Sequence, residues 1–100
     1  MSFRLPEDCM TMDEVREGVD ATDRELMALL DRRYGYMRAA ARIKPDREAV
    51  RDETRKRAVV DAATRDAASR GLPSHELAQI WDALVESSIA YELVEWDRRT

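Results

Sequence analysis

The sequence is poor in the residues that build metal centres, disulfides and phosphate-binding loops. Its 100 residues include one Cys, one His, three Gly and three Pro. A single thiol cannot form an internal disulfide, and one Cys with one His is too few for a zinc site. No Gly-rich phosphate loop and no Ser-His-Asp motif is visible either. We therefore expect no metal, no cofactor and no nucleophilic catalysis, and the single Cys favours a reduced, cytoplasmic protein.

Long apolar runs and an excess of positive charge are missing as well. No stretch is long enough to cross a bilayer, and the opening residues lack the apolar run of a signal peptide. The net charge of −4 argues against a general nucleic-acid binder. Because 44% of the residues are apolar, the chain is also too apolar to be disordered. We expect one folded domain over residues 1–100, with no membrane or nucleic-acid partner.

Helical periodicity dominates the first half of the chain. Thr11 and Glu14 have the spacing of a capping box, which predicts a helix start near Thr11 or Met12. Pro45 disfavours helical angles at Lys44 and predicts the end there. Between them, apolar residues recur in steps of three, four or seven, at Val15, Val19, Leu26, Leu29, Leu30, Met37, Ala40 and Ile43. A helix of about thirty residues needs a long partner helix to cover its apolar face.

Two further helices are predicted after a short charged loop. The second runs from about Asp52 to Arg70, with Gly71 placed to terminate it. Ser74 then follows Pro73 as the predicted N-cap of the third helix. No strand-like alternation of useful length occurs. The predicted fold class is all-α, with a long helix followed by two of medium length.

Three cations on or next to the first helix suggest an anion site. Arg33 and Lys44 are eleven residues apart, about three helical turns, so they share a face. Arg16 lies about 25 Å from Arg33 along the same helix, too far to reach the same small ligand. If all three serve one site, Arg16 must come from a second copy of the chain. The alternative is that each arginine keeps its stem on the core and its head in water.

Ser88 and Glu92 form a second candidate feature on the third helix. Their spacing of four residues places one above the other on the same helix face. Apolar neighbours on both sides would put a hydroxyl and a carboxyl inside the bundle, which is costly without partners. The other interpretation is a solvent-facing pair on an amphipathic helix.

The ordered set of these features resembles the all-helical chorismate mutase family over roughly residues 5–98. The motifs that carry the resemblance are REGVDATDRELMALLDRR, the lysine ending the first helix, VRDETRKR, and the Ser88/Glu92 pair after LPSHELAQIW. The opening LPEDC is similar to the start of the related isochorismate-pyruvate lyases of salicylate biosynthesis. The resemblance implies an intertwined helical homodimer acting on chorismate or isochorismate, and the mutase reaction belongs to aromatic amino acid biosynthesis.

The resemblance also implies a role for each matching residue. Arg16 would reach into the partner's site and bind a substrate carboxylate, while Arg33 would bind the other carboxylate within its own protomer. Lys44 would contact a carboxylate and the ether oxygen. Asp52 would lie near the ring hydroxyl, and Arg55 would be a supporting arginine. Ser88 would lie near the ring carboxylate, and Glu92 would face the ether oxygen.

Two positions depart from the common pattern of the family. Lys56 stands where many mutases have a glutamate beside the ring hydroxyl, and Glu92 replaces a glutamine. An ionised Glu92 would repel charge developing on the ether oxygen, whereas a protonated Glu92 could donate a hydrogen bond. We predict chorismate mutase activity, which Asp52 favours over the lyase reaction. One alternative is the lyase reaction, which LPEDC and the short loop after Lys44 favour. The other is a helical dimerisation module without catalysis.

Overall fold

A computed structural model describes residues 4–99 of the chain. It contains three α-helices, which are α1 (Met12–Ile43), α2 (Glu53–Ser69) and α3 (Ser74–Arg98). Two single turns of 3₁₀ helix, Pro6–Asp8 and Arg47–Ala49, precede α1 and α2. The described residues include no strand. The prediction of an all-α chain with one long helix and two shorter ones is therefore confirmed, and the homodimer stays a prediction.

The first helix begins where its capping box predicts. The Thr11 hydroxyl accepts a hydrogen bond from Glu14 N at 3.1 Å, and Glu14 Oε1 accepts from Thr11 N at 3.0 Å. Two backbone donors at this end of the helix, Thr11 N and Glu14 N, are thus satisfied reciprocally. The helix ends at Ile43, one residue before Lys44-Pro45, and is 32 residues long. No helix within residues 4–99 is long and apolar enough to span a membrane.

The chain divides into two compact units, with the division between Arg33 and Tyr34 in the course of α1. In the first unit, Ala21 is the one buried apolar residue among those described. The apolar positions of α1 in this unit are largely exposed, at Val15, Val19, Leu26 and Leu29. The first unit therefore presents an apolar helix face that its own residues do not cover.

The second unit has its core between α2 and α3. Val50 from the preceding loop is buried with Val85 and Ile89 of α3. Val59, Val60 and Leu93 pack around them. The part of α1 in this unit meets α3 through Tyr34, whose hydroxyl is 2.6 Å from Ser87 Oγ and whose ring packs edge-on against Tyr91.

The caps of α2 agree with the sequence. Asp52 is the N-cap, and its Oδ1 accepts a hydrogen bond from Arg55 N at 2.9 Å. At the other end Gly71 has a φ of +71°, with Leu72 N donating to Ala67 O and Gly71 N donating to Ala68 O. These two bonds form a Schellman motif, which requires a left-handed residue at the position of Gly71.

The predicted cap of α3 is wrong by one residue. Ser74 is the first residue of α3, and Pro73 occupies the N-cap position, where no side chain can cap the helix. The carbonyl of Pro73 accepts the first backbone hydrogen bond, from Leu77 N. Proline at this position holds an extended backbone, so the helix starts without needing the serine hydroxyl.

Candidate active site

Lys44 and Glu92 form an ion pair in the interior of the second unit. Lys44 directly follows α1, Glu92 lies on α3, and Lys44 Nζ is 2.7 Å from Glu92 Oε2. Glu92 is 3% exposed, while the lysine side chain keeps 29% of its surface accessible. The carboxyl group of Glu92 is therefore buried, whereas the lysine side chain that contacts it is partly exposed.

Despite this contact, Glu92 Oε2 accepts no hydrogen bond of regular geometry from any residue in the range 4–99. Buried polar oxygens usually accept at least one hydrogen bond. Here the Lys44 ammonium compensates the desolvation of the oxygen through its charge. A bound polar molecule could satisfy it, either by donating to the carboxylate or by accepting from a protonated carboxyl. Glu92 is thus a buried group with capacity to bind a ligand.

Two more polar groups lie next to this ion pair. The backbone carbonyl of Val50 is 3.4 Å from Lys44 Nζ and accepts a hydrogen bond from it. Ser88 is 4% exposed, and its Oγ donates to Leu84 O one turn earlier at 2.7 Å. Ser88 and Glu92 are both buried on α3, so the interpretation as a solvent-facing pair is wrong. The carbonyl of Val50 was not predicted, because no sequence pattern marks a main-chain acceptor.

Lys56 binds carboxylates on another side of α3. Its Nζ lies 2.7 Å from Glu86 Oε2 and 3.1 Å from Asp82 Oδ1. At 100° per residue, these two acids lie roughly a third of a turn around α3 from Ser88 and Glu92. The structure does not bring Lys56 together with the Lys44–Glu92 pair. Substrate binding by Lys56 stays a prediction.

Arg51, which no sequence pattern predicted as a site residue, joins Lys56, Asp82 and Glu86 in a cluster of charged residues at the surface. Its guanidinium forms two hydrogen bonds with Glu86, at 2.8 and 3.1 Å, and one with Glu53 at 2.8 Å. The hydrogen bonds from Arg51, and then those from Lys56, lower the pKa of Glu86 to about 2. The same bonds raise the pKa of Lys56 and of Arg51. This cluster joins α2 and its preceding loop to α3.

The other predicted site residues differ in how far they are buried. Arg16 is exposed on α1 and lies 3.8 Å from Asp13 Oδ1, a loose ion pair. Arg33 is partly buried at the end of the first unit. Arg55 is exposed in the first turn of α2, next to the capping Asp52. Their roles in substrate binding stay predictions.

Comparison with known proteins identifies the family. The sequence profile of the family described as chorismate mutase type II matches residues 15–93, which include every predicted site residue. The chain is also 28% identical over 94 residues to the isochorismate pyruvate lyase of Pseudomonas aeruginosa, covering 94% of this chain and 93% of that protein. The protein belongs to the chorismate mutase type II family.

Proposed function

We propose that the protein is a chorismate mutase, which converts chorismate to prephenate by a Claisen rearrangement. The observation that carries the proposal is the Lys44–Glu92 pair in a chain of this family, with Glu92 buried and its Oε2 accepting no hydrogen bond of regular geometry within residues 4–99. In the reaction the ether C–O bond breaks as a new C–C bond forms within the same molecule. No nucleophile and no external proton is required.

Catalysis would then consist of binding the reactive conformation and stabilising charge on the breaking bond. We propose that Arg33 and Arg16 hold the two carboxylates of the substrate. Lys44 contacts the ether oxygen and a carboxylate, and protonated Glu92 donates a hydrogen bond to the same oxygen. Asp52, Arg55, Lys56 and Ser88 complete the proposed set of substrate-binding residues.

We further propose that the active form is a homodimer in which Arg16 reaches the partner's site. Arg16 and Arg33 are about 25 Å apart along α1, so one protomer cannot place both on one small substrate. The exposed apolar residues of α1 support association, since a partner would cover Val15, Val19, Leu26 and Leu29. The partner would thus supply both an apolar surface and a cation.

The second candidate is an isochorismate-pyruvate lyase, which releases salicylate and pyruvate. The relative of that name and the LPEDC motif favour it. Asp52 does not separate the two reactions, because capping α2 is by itself a sufficient reason for an acid at this position. The choice therefore depends on the substrate.

A two-substrate assay tests the proposal. Purified protein is given chorismate or isochorismate, and prephenate or salicylate formation is measured to obtain kcat/KM for each. We expect the higher value with chorismate, loss of that activity in Lys44→Ala, and no loss in Arg98→Ala, an exposed control. A higher value with isochorismate would support the lyase instead. Activity with neither substrate, together with no rise in Tm when a chorismate-like dicarboxylate is added, would support the non-catalytic dimerisation module.

A further inference from the structure

Arg99, the residue just after α3, contacts the end of α1 and the adjoining Lys44. Arg99 Nη1 donates to Ala41 O at 2.7 Å and to Lys44 O at 3.0 Å. The guanidinium carbon is 3.5 Å from the centroid of the Trp96 ring, which keeps the side chain in place. Arg99 therefore contacts the main chain of Lys44 itself, whereas Glu92 and Val50 O contact its ammonium.

An ion pair holds the loop just after Lys44. Arg47 Nε is 2.9 Å from Asp97 Oδ1, and Arg47 Nη2 is 3.2 Å from Asp97 Oδ2. This two-point geometry fixes orientation as well as distance. We refer to Arg99 and the Arg47–Asp97 pair together as the C-terminal clamp. The clamp thus holds the chain at two points, Lys44 and Arg47.

The end of α1 needs such support for a physical reason. The last carbonyls of a helix have no partner within it, and Pro45 prevents the chain from continuing the helix. The Arg99 guanidinium satisfies one of these carbonyls, that of Ala41, and also the carbonyl of Lys44 just after the helix. It carries the charge that the helix dipole favours at this end. Without it, the last turn of α1 would open more easily, and Lys44 would move with it.

We propose that Arg99 and Asp97 are positioning residues for the candidate active site, acting through Lys44. This inference rests on the proposed function, because it assumes that Lys44 contacts the substrate. The Lys44 ammonium must lie between Glu92 and Val50 O, and its main chain is fixed by Arg99. Since a misplacement of about 1 Å can reduce a rate by about a hundredfold, the clamp affects catalysis without contacting substrate.

The chain offers a matched control at the neighbouring residue. Arg98 has a side chain that is 74% exposed, and within residues 4–99 it forms an ion pair with Glu95 on the same helix. Arg98 is therefore an arginine next to Arg99 whose ion pair stays within α3 and does not involve α1 or the loop. Arg98→Ala removes the same charge as Arg99→Ala while leaving the clamp in place.

The test measures kcat, KM and amide hydrogen exchange in Arg99→Ala, Arg99→Lys, Asp97→Asn and Arg98→Ala. For Arg99→Ala we expect kcat/KM to fall by up to about tenfold, mainly through a lower kcat. We also expect faster exchange of the Lys44 amide, which donates to Ala40 O. Arg99→Lys should recover part of both properties because an ammonium can still donate to the two carbonyls. Asp97→Asn should show a smaller loss of the same kind, and Arg98→Ala should match the wild type.

Faster exchange with unchanged kcat/KM would show that Arg99 only caps the helix, and would overturn the proposal. Unchanged exchange in Arg99→Ala would overturn it as well, whatever the activity. If the wild type converts neither substrate, the proposed function fails, and the exchange of the Lys44 amide alone decides whether Arg99 positions this residue. A variant that fails to fold is recognised by its thermal transition, and Arg99→Lys and Asp97→Asn then carry the test.

Discussion

At the scale of single residues, Glu92 is the position with the most chemical consequence. Its carboxyl group is buried and contacts one ammonium, that of Lys44. Such a pair is costly to bury, and replacing it by apolar groups is often neutral or stabilising. Stability is therefore a poor explanation for its presence. Binding and catalysis, which need fixed polar groups in a place shielded from water, explain it better.

Replacing Glu92 by glutamine should change the pH dependence of the proposed reaction. A carboxyl group donates a hydrogen bond to the ether oxygen only when protonated, whereas an amide donates at every pH. We expect wild-type kcat to fall as the pH rises and the Glu92→Gln profile to be flatter. Measuring kcat from pH 5 to pH 9 for both proteins checks this. An identical slope in the two profiles would rule out protonated Glu92 as the donor.

At the scale of helices and turns, the end of α2 depends on one glycine. Gly71 has a φ of +71°, and no atom lies within 4 Å of the Cβ that another residue would add. The cost of a side chain here is therefore that of the left-handed backbone rather than a clash. Leu72 N and Gly71 N form the two bonds that close the helix, and both depend on this conformation.

We expect Gly71→Ala to lower the free energy of unfolding by about 1–2 kcal/mol. Gly35→Ala is the matched control, since Gly35 lies in the interior of α1, where alanine is a better helix former. A Cβ at Gly35 would lie 3.2 Å from Arg38 Nη2, the far end of a flexible side chain that can move. Urea unfolding of both variants should show destabilisation at position 71 and little loss, or a gain, at position 35. Equal losses would contradict this explanation.

The ion pairs between α2 and α3 give the fold a pH dependence at the same scale. Glu86 has a pKa lowered from 4.5 to about 2, first by Arg51 and then by Lys56. Because the folded state holds the ionised form, Glu86 stabilises the protein above about pH 4.5, and this contribution is lost as the pH falls toward 2. The glutamate side chain is 39% exposed, so the effect is screened by solvent.

We expect the Tm of the wild type to fall between pH 6 and pH 2.5, and to fall less steeply in Glu86→Gln. The difference between the two proteins should shrink at 1 M salt, where the Debye length is about 3 Å. Thermal unfolding followed by circular dichroism measures it. Parallel curves for the two proteins would show that Glu86 does not contribute to acid stability.

At the scale of the whole molecule, the proposed dimer predicts that two inactive variants can restore each other. Arg16→Ala damages the residue supplied to the partner's site, and Lys44→Ala damages the site of its own protomer. In a mixed dimer, one site carries both changes and the other carries neither. Random exchange of protomers makes about half of the dimers mixed, so about a quarter of all sites are intact.

We therefore expect a mixture of the two variants, refolded together, to recover about 25% of wild-type activity. Each variant refolded alone is the control and should stay inactive. Sedimentation of the wild type at several concentrations measures association independently. No recovery in a mixture shown to contain mixed dimers would contradict the contribution of Arg16 across the interface.

The sequence by itself determined the helices and most of their ends. Capping and termination depend on residues three or four positions apart, so Thr11 with Glu14, Asp52 with Arg55, and Gly71 could be interpreted locally. Ser74 shows the limit of such reasoning. A serine after a proline resembles a cap, yet the backbone of Pro73 begins the helix without its hydroxyl.

Only the tertiary structure decided which charges meet. Lys44 follows α1 and contacts Glu92, whereas Lys56 lies in the first turn of α2 and contacts Asp82 and Glu86. The same holds for Arg99, whose acceptors Ala41 O and Lys44 O are main-chain atoms 58 and 55 residues away. Helical periodicity assigns a residue to a face, but the packing of one helix on another determines which groups lie within hydrogen-bonding distance.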